Sequence, residues 1–441
     1  MLVNTHKLFA RFLLLFLLVS STAAAQEVWI LQKCLDTALV HNRNLQINRN
    51  AILQSQEKEQ EIRAGRNLKV NASADYKYFI DMPYQLMPAT ALNPQAAPGQ
   101  FKELQFGVPH NINASVQIAM PLYQPQLTGA IQNAAIAREL SGIQYRRSEE
   151  QVMVDVTNLY YNAQILLNQL GFLERNLDNT RQLLKNMQLL QEQLMARGTD
   201  VNKVKLQADQ LLTRQEMMKN QYESVLNRLK LNMGLDPERN ISVVEQIRIQ
   251  EAGDYPVHPT LEFQLVETQK KLLNNELKTI HQSAYLPSLN LFGSYGTMGF
   301  GYDKSPHSFL KFFRTGFAGL QLSYPIFNGT VTKRKLSQKQ LELKNNELQA
   351  AFIADKNKME IDNSEKQRAT AFKAVDNTTR QMQLAATIYA QTLLQQKEGT
   401  ASLTDVLLSD NTLRETQQNY LAAIVDYLKA DLALKQLTGN F

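Results

Sequence analysis

Four stretches of strict alternation set the tightest limit on what this chain folds into. In the first, Leu68, Val70, Ala72, Ala74, Tyr76 and Tyr78 alternate with Lys69, Asn71, Ser73, Asp75 and Lys77. In the second, Ile112, Ala114, Val116, Ile118 and Met120 alternate with Asn113, Ser115, Gln117 and Ala119. Further along, Leu289, Leu291 and Tyr295 alternate with Ser288, Asn290 and Ser294. Last, Gly316, Ala318, Leu320, Leu322 and Tyr324 alternate with Phe317, Gly319, Gln321 and Ser323. A period of two with one apolar face is the signature of a strand. It predicts strands at about 68–80, 104–121, 286–300 and 312–325. Each run has ~10 residues, the length a tilted strand needs to cross a bilayer. Aromatic residues crowd the ends of the runs: Tyr78, Phe79, Tyr84, Tyr123, Phe300, Tyr302, Phe312, Phe313 and Phe327. A transmembrane barrel wears its interfacial girdle there. A soluble sheet with one wet face shows the same alternation, but it leaves four strands standing apart from any other β material.

The four strands come as two pairs, because the chain states one plan twice. Val116-Gln-Ile-Ala-Met-Pro-Leu-Tyr123 matches Leu320-Gln-Leu-Ser-Tyr-Pro-Ile-Phe327 position by position, 204 residues apart. Arg197-Gly-Thr199 matches Glu398-Gly-Thr400 at an offset of 201, and Leu229-Lys-Leu-Asn-Met-Gly234 resembles Leu434-Lys-Gln-Leu-Thr-Gly439 at 205. His41-Asn-Arg-Asn-Leu45 and His258-Pro-Thr-Leu261 open corresponding segments. The expected repeats are 26–245 and 246–441, each with two strands, a long helix and a shorter one.

Between the strands the chain reads as unusually long helix. The thirteen prolines all lie at or before Pro125 or from Pro237 to Pro325. From Thr330 to Glu398 there is neither Gly nor Pro, so an unbroken helix there would reach ~100 Å. Its counterpart runs from roughly Gln126 to Arg197, with Gly142 and Gly171 as mild weaknesses. Leu170, Leu173, Leu177, Leu184, Met187, Leu190 and Leu194 form a narrow stripe among Asn, Gln, Lys and Glu. Such a stripe suits coiled-coil-like packing with much of each helix wet.

The first 25 residues read as a secretory signal: basic His6, Lys7 and Arg11, apolar Phe12 to Val19, then Ala23-Ala24-Ala25 before Gln26. Its apolar core spans only ~12 Å of helix, short of a ~30 Å hydrocarbon layer. After residue 25 no run approaches the ~18–20 consecutive apolar residues of a membrane helix. The net charge of +6, lowered further without Lys7 and Arg11, is too small and too dispersed to argue for nucleic acid. Cys34 is the only cysteine, which excludes an intrachain disulfide, and it reads as a small buried apolar residue. No GxSxG, Walker A or metal-spaced His/Cys cluster occurs, so no catalytic site, cofactor or metal is expected. Gly293, Gly296, Gly299 and Gly301 are not spaced as a dinucleotide fingerprint, and they read as relief of crowding in a strand.

An open four-stranded sheet in lipid exposes two rows of unpaired backbone groups, each costing several kcal/mol. Bacterial barrels close with an even number of at least eight strands. Four strands per chain therefore require several copies to pool them, with the polar strand faces and the Gln/Asn-rich helix faces lining one wet lumen.

These features together resemble the TolC-like outer-membrane efflux family over essentially the whole chain after residue 25. The resemblance is carried by Trp29-Ile-Leu-Gln-Lys-Cys-Leu-Asp-Thr-Ala-Leu39, Asn42 to Leu45, the strand ends at Pro121 and Pro325, and the duplicated helix–Gly-Thr–helix. It implies an α+β fold: a long helical, coiled-coil-like barrel plus four strands given to the 12-stranded transmembrane β-barrel of a homotrimer. It implies a channel-tunnel in the outer membrane reaching into the periplasm. The implied partners are a periplasmic adaptor and an inner-membrane pump of RND or ABC type, and the cargo is small toxic compounds or proteins. By the same resemblance Arg197, Gly198, Thr199, Glu398, Gly399 and Thr400 fall at adaptor-contacting helix tips. The residues themselves suggest a Gly C-terminal cap with positive φ and a Thr199 or Asp200 cap on the next helix. Asp405, six residues after Gly399, corresponds to a carboxylate that narrows the family's closed entrance. Asp200 lies near the first tip, but Val204 stands six after Gly198. Pro121 with Tyr123 and Pro325 with Phe327 mark the strand-to-helix junctions. The competing readings are a periplasmic coiled-coil adaptor or scaffold, which leaves the strands unemployed, and an autonomous barrel enzyme or porin, which needs more strands. Residues 81–103 and 301–311 are the expected outward loops.

Overall fold

The structure, a computed structural model, describes residues 27–247, 249 and 253–441. The expected signal segment, residues 1–25, lies outside the described residues. In chain order the elements are β1 (Glu27–Trp29), α1 (Leu31–His41), α2 (Arg43–Ala64), β2 (Lys69–Tyr78), β3 (Tyr84–Pro88), β4 (Phe101–Gln105) and β5 (His110–Tyr123). Then come α3 (Pro125–Glu192), α4 (Gly198–Met233), β6 (Ile241–Val243), α5 (Leu261–Tyr285), β7 (Ser288–Tyr302), β8 (Phe309–Ser323), α6 (Val331–Lys397) and α7 (Leu403–Leu437). No helix among the described residues is long and apolar enough to cross a membrane.

The four alternating segments form one antiparallel sheet in the order β2-β5-β7-β8. Its hairpins pair Lys69 with Ala119 through Tyr78 with His110, and Ser288 with Ser323 through Tyr302 with Phe309. The second expected strand begins at His110, not 104, because Phe101–Gln105 folds back on Tyr84–Pro88 as a separate hairpin. Gly107, at φ 110°, breaks the backbone between them. The segment expected to be plain loop at 81–103 thus contains strands β3 and most of β4. β7 and β8 meet two to three residues further outward than expected, at Tyr302 and Phe309.

The long helices follow from the missing breakers. α3 has 68 residues and passes through Gly142 and Gly171 without interruption; α6 has 67. Pro125 opens α3 at a first-turn position, where its missing N–H costs nothing.

The chain divides into two compact units: the described residues up to 51 with 142–265 and 350–441, and residues 52–141 with 266–349. Each unit draws on both halves of the sequence. In the first, β1 and β6 pair in parallel, and Trp29, Cys34 and Ala38 bury against Val156, Tyr160, Leu229 and Met233. Asn42 is buried where α1 meets α2; its side chain accepts from the Leu45 N–H at 3.1 Å and donates to the Asn232 carbonyl at 2.6 Å. A second core gathers Ile165, Ala371, Val375, Leu421 and Ile424, and a third joins α3, α4, α6 and α7 through Met187, Val204, Tyr389 and Val406. In the second unit, below the sheet, Asn275 of α5 donates to Asn133 and to the Gly129 carbonyl of α3. There Glu59 is almost fully buried between Arg63 at 2.6 Å and Arg138 at 3.3 Å.

Candidate functional site

The sequence pointed to two places, the tips between long and short helices in the first unit and the sheet with its junctions in the second.

The tips are built alike, but not in the alignment that the Gly-Thr letters suggested. In the second repeat Gly399 takes φ 74°, and its N–H donates to the Gln396 carbonyl at 3.1 Å. Thr400 and Ala401 both donate to the Gln395 carbonyl, at 2.9 and 3.3 Å. In the first repeat the same three bonds run from Leu194 to Gln191 at 2.9 Å, and from Met195 and Ala196 to Leu190 at 2.8 and 3.2 Å. Leu194 itself has φ 61°, the only positive-φ residue other than glycine besides Thr330 among the described residues. Leu194, not Gly198, is therefore the counterpart of Gly399, and the helix-ending Gly expected at 198 is instead the first residue of α4. Neither Thr199 nor Asp200 caps that helix; its N-cap is Arg197, with φ −82°, ψ 145° and no side-chain cap bond.

In the second repeat the cap is complete. Ser402 accepts the Asp405 N–H at 3.2 Å, while the Asp405 carboxylate accepts from the Ser402 N–H at 2.9 Å and its hydroxyl at 2.6 Å. This reciprocal box satisfies two orphan donors at the helix start. The Ser402 hydroxyl and then its backbone N–H hold the Asp405 carboxyl below its ordinary value. Once Leu194 is set on Gly399, Asp200 falls on Asp405, each three residues beyond its N-cap. The apparent departure of the first copy, Val204, disappears; Val204 is fully buried in the tip core. Asp200 is partly shielded by Lys203, 3.2 Å away.

The tips also expose residues that sequence reasoning passed over. Leu194 and Met195 are 94% and 73% exposed, and Arg197, Gly198, Thr199, Glu398, Gly399 and Thr400 are exposed beside or opposite them in the chain. The leucine spacing places Leu194 last in a packed stripe; its left-handed backbone turns it out of that stripe. Farther along α7, Asp410 is buried between Arg414 and Gln207 of α4, and burial pushes its carboxyl up.

The sheet has one apolar face. Its register sets Val70, Ala72, Ala74 and Tyr76 beside Ile118, Val116, Ala114 and Ile112, then beside Gly293, Tyr295, Thr297 and Gly299. Ala318, Gly316, Arg314 and Phe312 complete those rows. The opposite face carries Lys69, Asn71, Ser73, Asp75 and Lys77 on β2 and Asn111, Asn113, Ser115 and Gln117 on β5. Among the described residues β2 and β8 have no sheet partner on their outer sides. The register corrects the expected girdle. Tyr78 and Phe312 lie on the apolar face, but Phe300, Tyr302 and Phe313 share rows with the polar one.

The junctions differ between repeats. Pro121 and Tyr123 are the last part of β5, with a bulge between them, and α3 starts two residues later. β8 ends at Ser323, so Pro325 and Phe327 lie in a connection that ends with Gly329 at φ 63° and Thr330 at φ 69°. Ile326 and Phe327 are 91% and 83% exposed.

Residues 275–440 match the family model described as Outer membrane efflux protein. No curated protein sequence matches the chain significantly. Solved structures match at low identity and high coverage. The outer membrane protein VceC from Vibrio cholerae has a TM-score of 0.70 at 14% identity, covering 93% of this chain and 96% of its own. The Campylobacter jejuni CmeC outer membrane channel has 0.73 at 15%, covering 93% and 85%. The Neisseria gonorrhoeae MtrE outer membrane channel, in its open state, has 0.68 at 15%, covering 93% and 88%. At such identities the structures establish a shared fold.

Proposed function

We propose that this chain, whose residues 275–440 match the outer membrane efflux protein model and whose fold is that of solved outer-membrane channels, is a TolC-like outer-membrane efflux protein and the exit duct of a tripartite export system. Three copies pool their strands into one barrel in the outer membrane, and their helices continue it as a tunnel through the periplasm. The sheet carries this reading. It has one apolar face, one largely polar face and two free edges, β2 and β8. In lipid those edges are tolerable only when paired, and pairing β8 of one copy with β2 of the next removes them all. A periplasmic scaffold gives such a sheet no use.

The tips are the contact for a periplasmic adaptor, which links the duct to an inner-membrane pump. Leu194 and Met195 favour this, because two adjacent large apolar side chains stand in water at the tip, where a partner would cover them. Arg197 to Thr199 and Glu398 to Thr400 flank them. Asp200 and Asp405, matched in position, ring the entrance in three copies and concentrate cations there while repelling one another. The pump selects small toxic compounds or proteins as cargo, and the duct conducts them outward.

Planar-bilayer recording tests the channel and its gate together. Purified protein is expected to form discrete pores, and Asp405→Ala is expected to change their conductance. Unchanged conductance removes the gate, and absence of pores removes the channel. Crosslinking in the native envelope is expected to join the tips to an adaptor.

A further inference from the structure

We infer that the polar face of the sheet carries, on its second hairpin, a contact surface for small aromatic anions moving through the barrel. This cargo class rests on the channel reading above, because it takes that face as the wall of the lumen.

On the first hairpin the face is hydrophilic at nearly every register position. On the second, the same face carries Phe292, Phe300, Tyr302, Phe309, Phe313 and Phe317. The pairing of β5 with β7 is unbroken from His110–Gly301 to Pro121–Asn290, so no bulge shifts these rings to the apolar side. They meet in pairs: Phe292 with Phe317 at 6.1 Å between centroids, Phe300 with Phe313 at 6.1 Å, and Tyr302 with Phe309 at 6.3 Å. Phe313 and Phe317 remain more than half exposed. Eight strands make a barrel that side chains just fill, and ~12 leave an open bore. Rings from three copies therefore line water and leave their faces free for a solute. Offset or edge-on stacking holds a planar solute for moments without trapping it, as conduction requires.

Charge selects the sign of that solute. The face has three ammonium groups, Lys69, Lys77 and Lys311, against one carboxylate, Asp75. Asp75 is already engaged by Lys77 at 3.9 Å and by the Asn113 amide at 3.3 Å. Lys311 stands opposite Phe300 and two residues from both Phe309 and Phe313 along β8. No carboxylate shares this face on β7 or β8. A ring bearing a negative group thus finds stacking surface and a complementary cation together.

Single-channel recording with 2-naphthalenesulfonate added on the outer-loop side tests this. Brief current blocks are expected, rarer and shorter with hexanesulfonate or with naphthylmethylammonium. Phe300→Leu with Phe313→Leu, which keeps apolar volume, is expected to shorten the blocks about tenfold. Lys311→Gln, which leaves Lys69 and Lys77 against Asp75, is expected to weaken the preference for anion over cation. Equal blocking by all three probes, or blocks unchanged in these variants, overturns the aromatic-anion surface and leaves the channel standing. The three-probe comparison on the unaltered protein decides the matter even if a variant fails to assemble. Absence of any pore contradicts the channel reading and this inference with it.

Discussion

Single residues decide how the two tips differ. Leu194 pays for its left-handed backbone, a cost of ~1–2 kcal/mol for an L-residue, while Gly399 takes the same turn freely. With its side chain in water, Leu194 gains nothing from burial in return. Leu194→Asn, which tolerates this conformation, is expected to slow hydrogen exchange at the first tip about fivefold while reducing crosslinking to an adaptor. Unchanged crosslinking would remove Leu194 from the docking surface. Ser402→Ala breaks the reciprocal cap, and exchange in the first turn of α7 is expected to quicken about fivefold. The cap also has a pH window. Because the Asp405 carboxyl is held below its ordinary 3.8, its contribution is whole above that value and is lost as pH falls through the lowered one. Protection of the first turn of α7 is expected to follow that course in wild type and to lose the pH dependence in Asp405→Asn. The matching of Asp200 to Asp405 was not legible in the sequence. Letter identity aligned Gly198 with Gly399, whereas the carbonyl each N–H finds, Leu190 and Gln395, sets the true correspondence.

Elements were easier to read than faces. The strands announced themselves through alternation, and the helices through the absence of Pro and Gly, because both signals follow directly from backbone periodicity. Which face the outer aromatics joined depends on register, and register on where Tyr302 and Phe309 meet. That is why Phe300, Tyr302 and Phe313, expected in a girdle from their place at the strand ends, stand on the face opposite the apolar one. The small hairpin β3–β4 escaped because its strands have only five residues each and no sustained alternation. The glycines divide by element too. A Cβ on Gly296 would lie 2.3 Å from the Ala114 carbonyl oxygen of the neighbouring strand, whereas one on Gly142 meets nothing within 4 Å. Gly296→Ala is therefore expected to force β5 and β7 apart and lower thermal stability. Gly142→Ala in α3 is expected to stabilise the protein by up to ~1 kcal/mol. Thermal unfolding of both variants checks this pair, and equal behaviour would contradict the packing described for β5 and β7.

At the scale of the molecule, the proposed duct makes each chain a fraction of a wall. Its sheet has paired strands inside and bare backbone at both edges, and its apolar face has only His110 and Arg314 as titratable exceptions besides tyrosines. In the proposed barrel Arg314 is tolerable on that face, because a long stem lets a guanidinium reach the membrane interface. The proposed closure by three copies rests only in part on the residues. Free edges demand company, but the number three came from resemblance and not from any residue. Native mass spectrometry of the protein extracted from outer membranes in mild detergent tests closure most directly. A particle of three chains is expected; a lone chain inserted stably in the membrane, with β2 and β8 unpaired, would contradict closure by pooled strands.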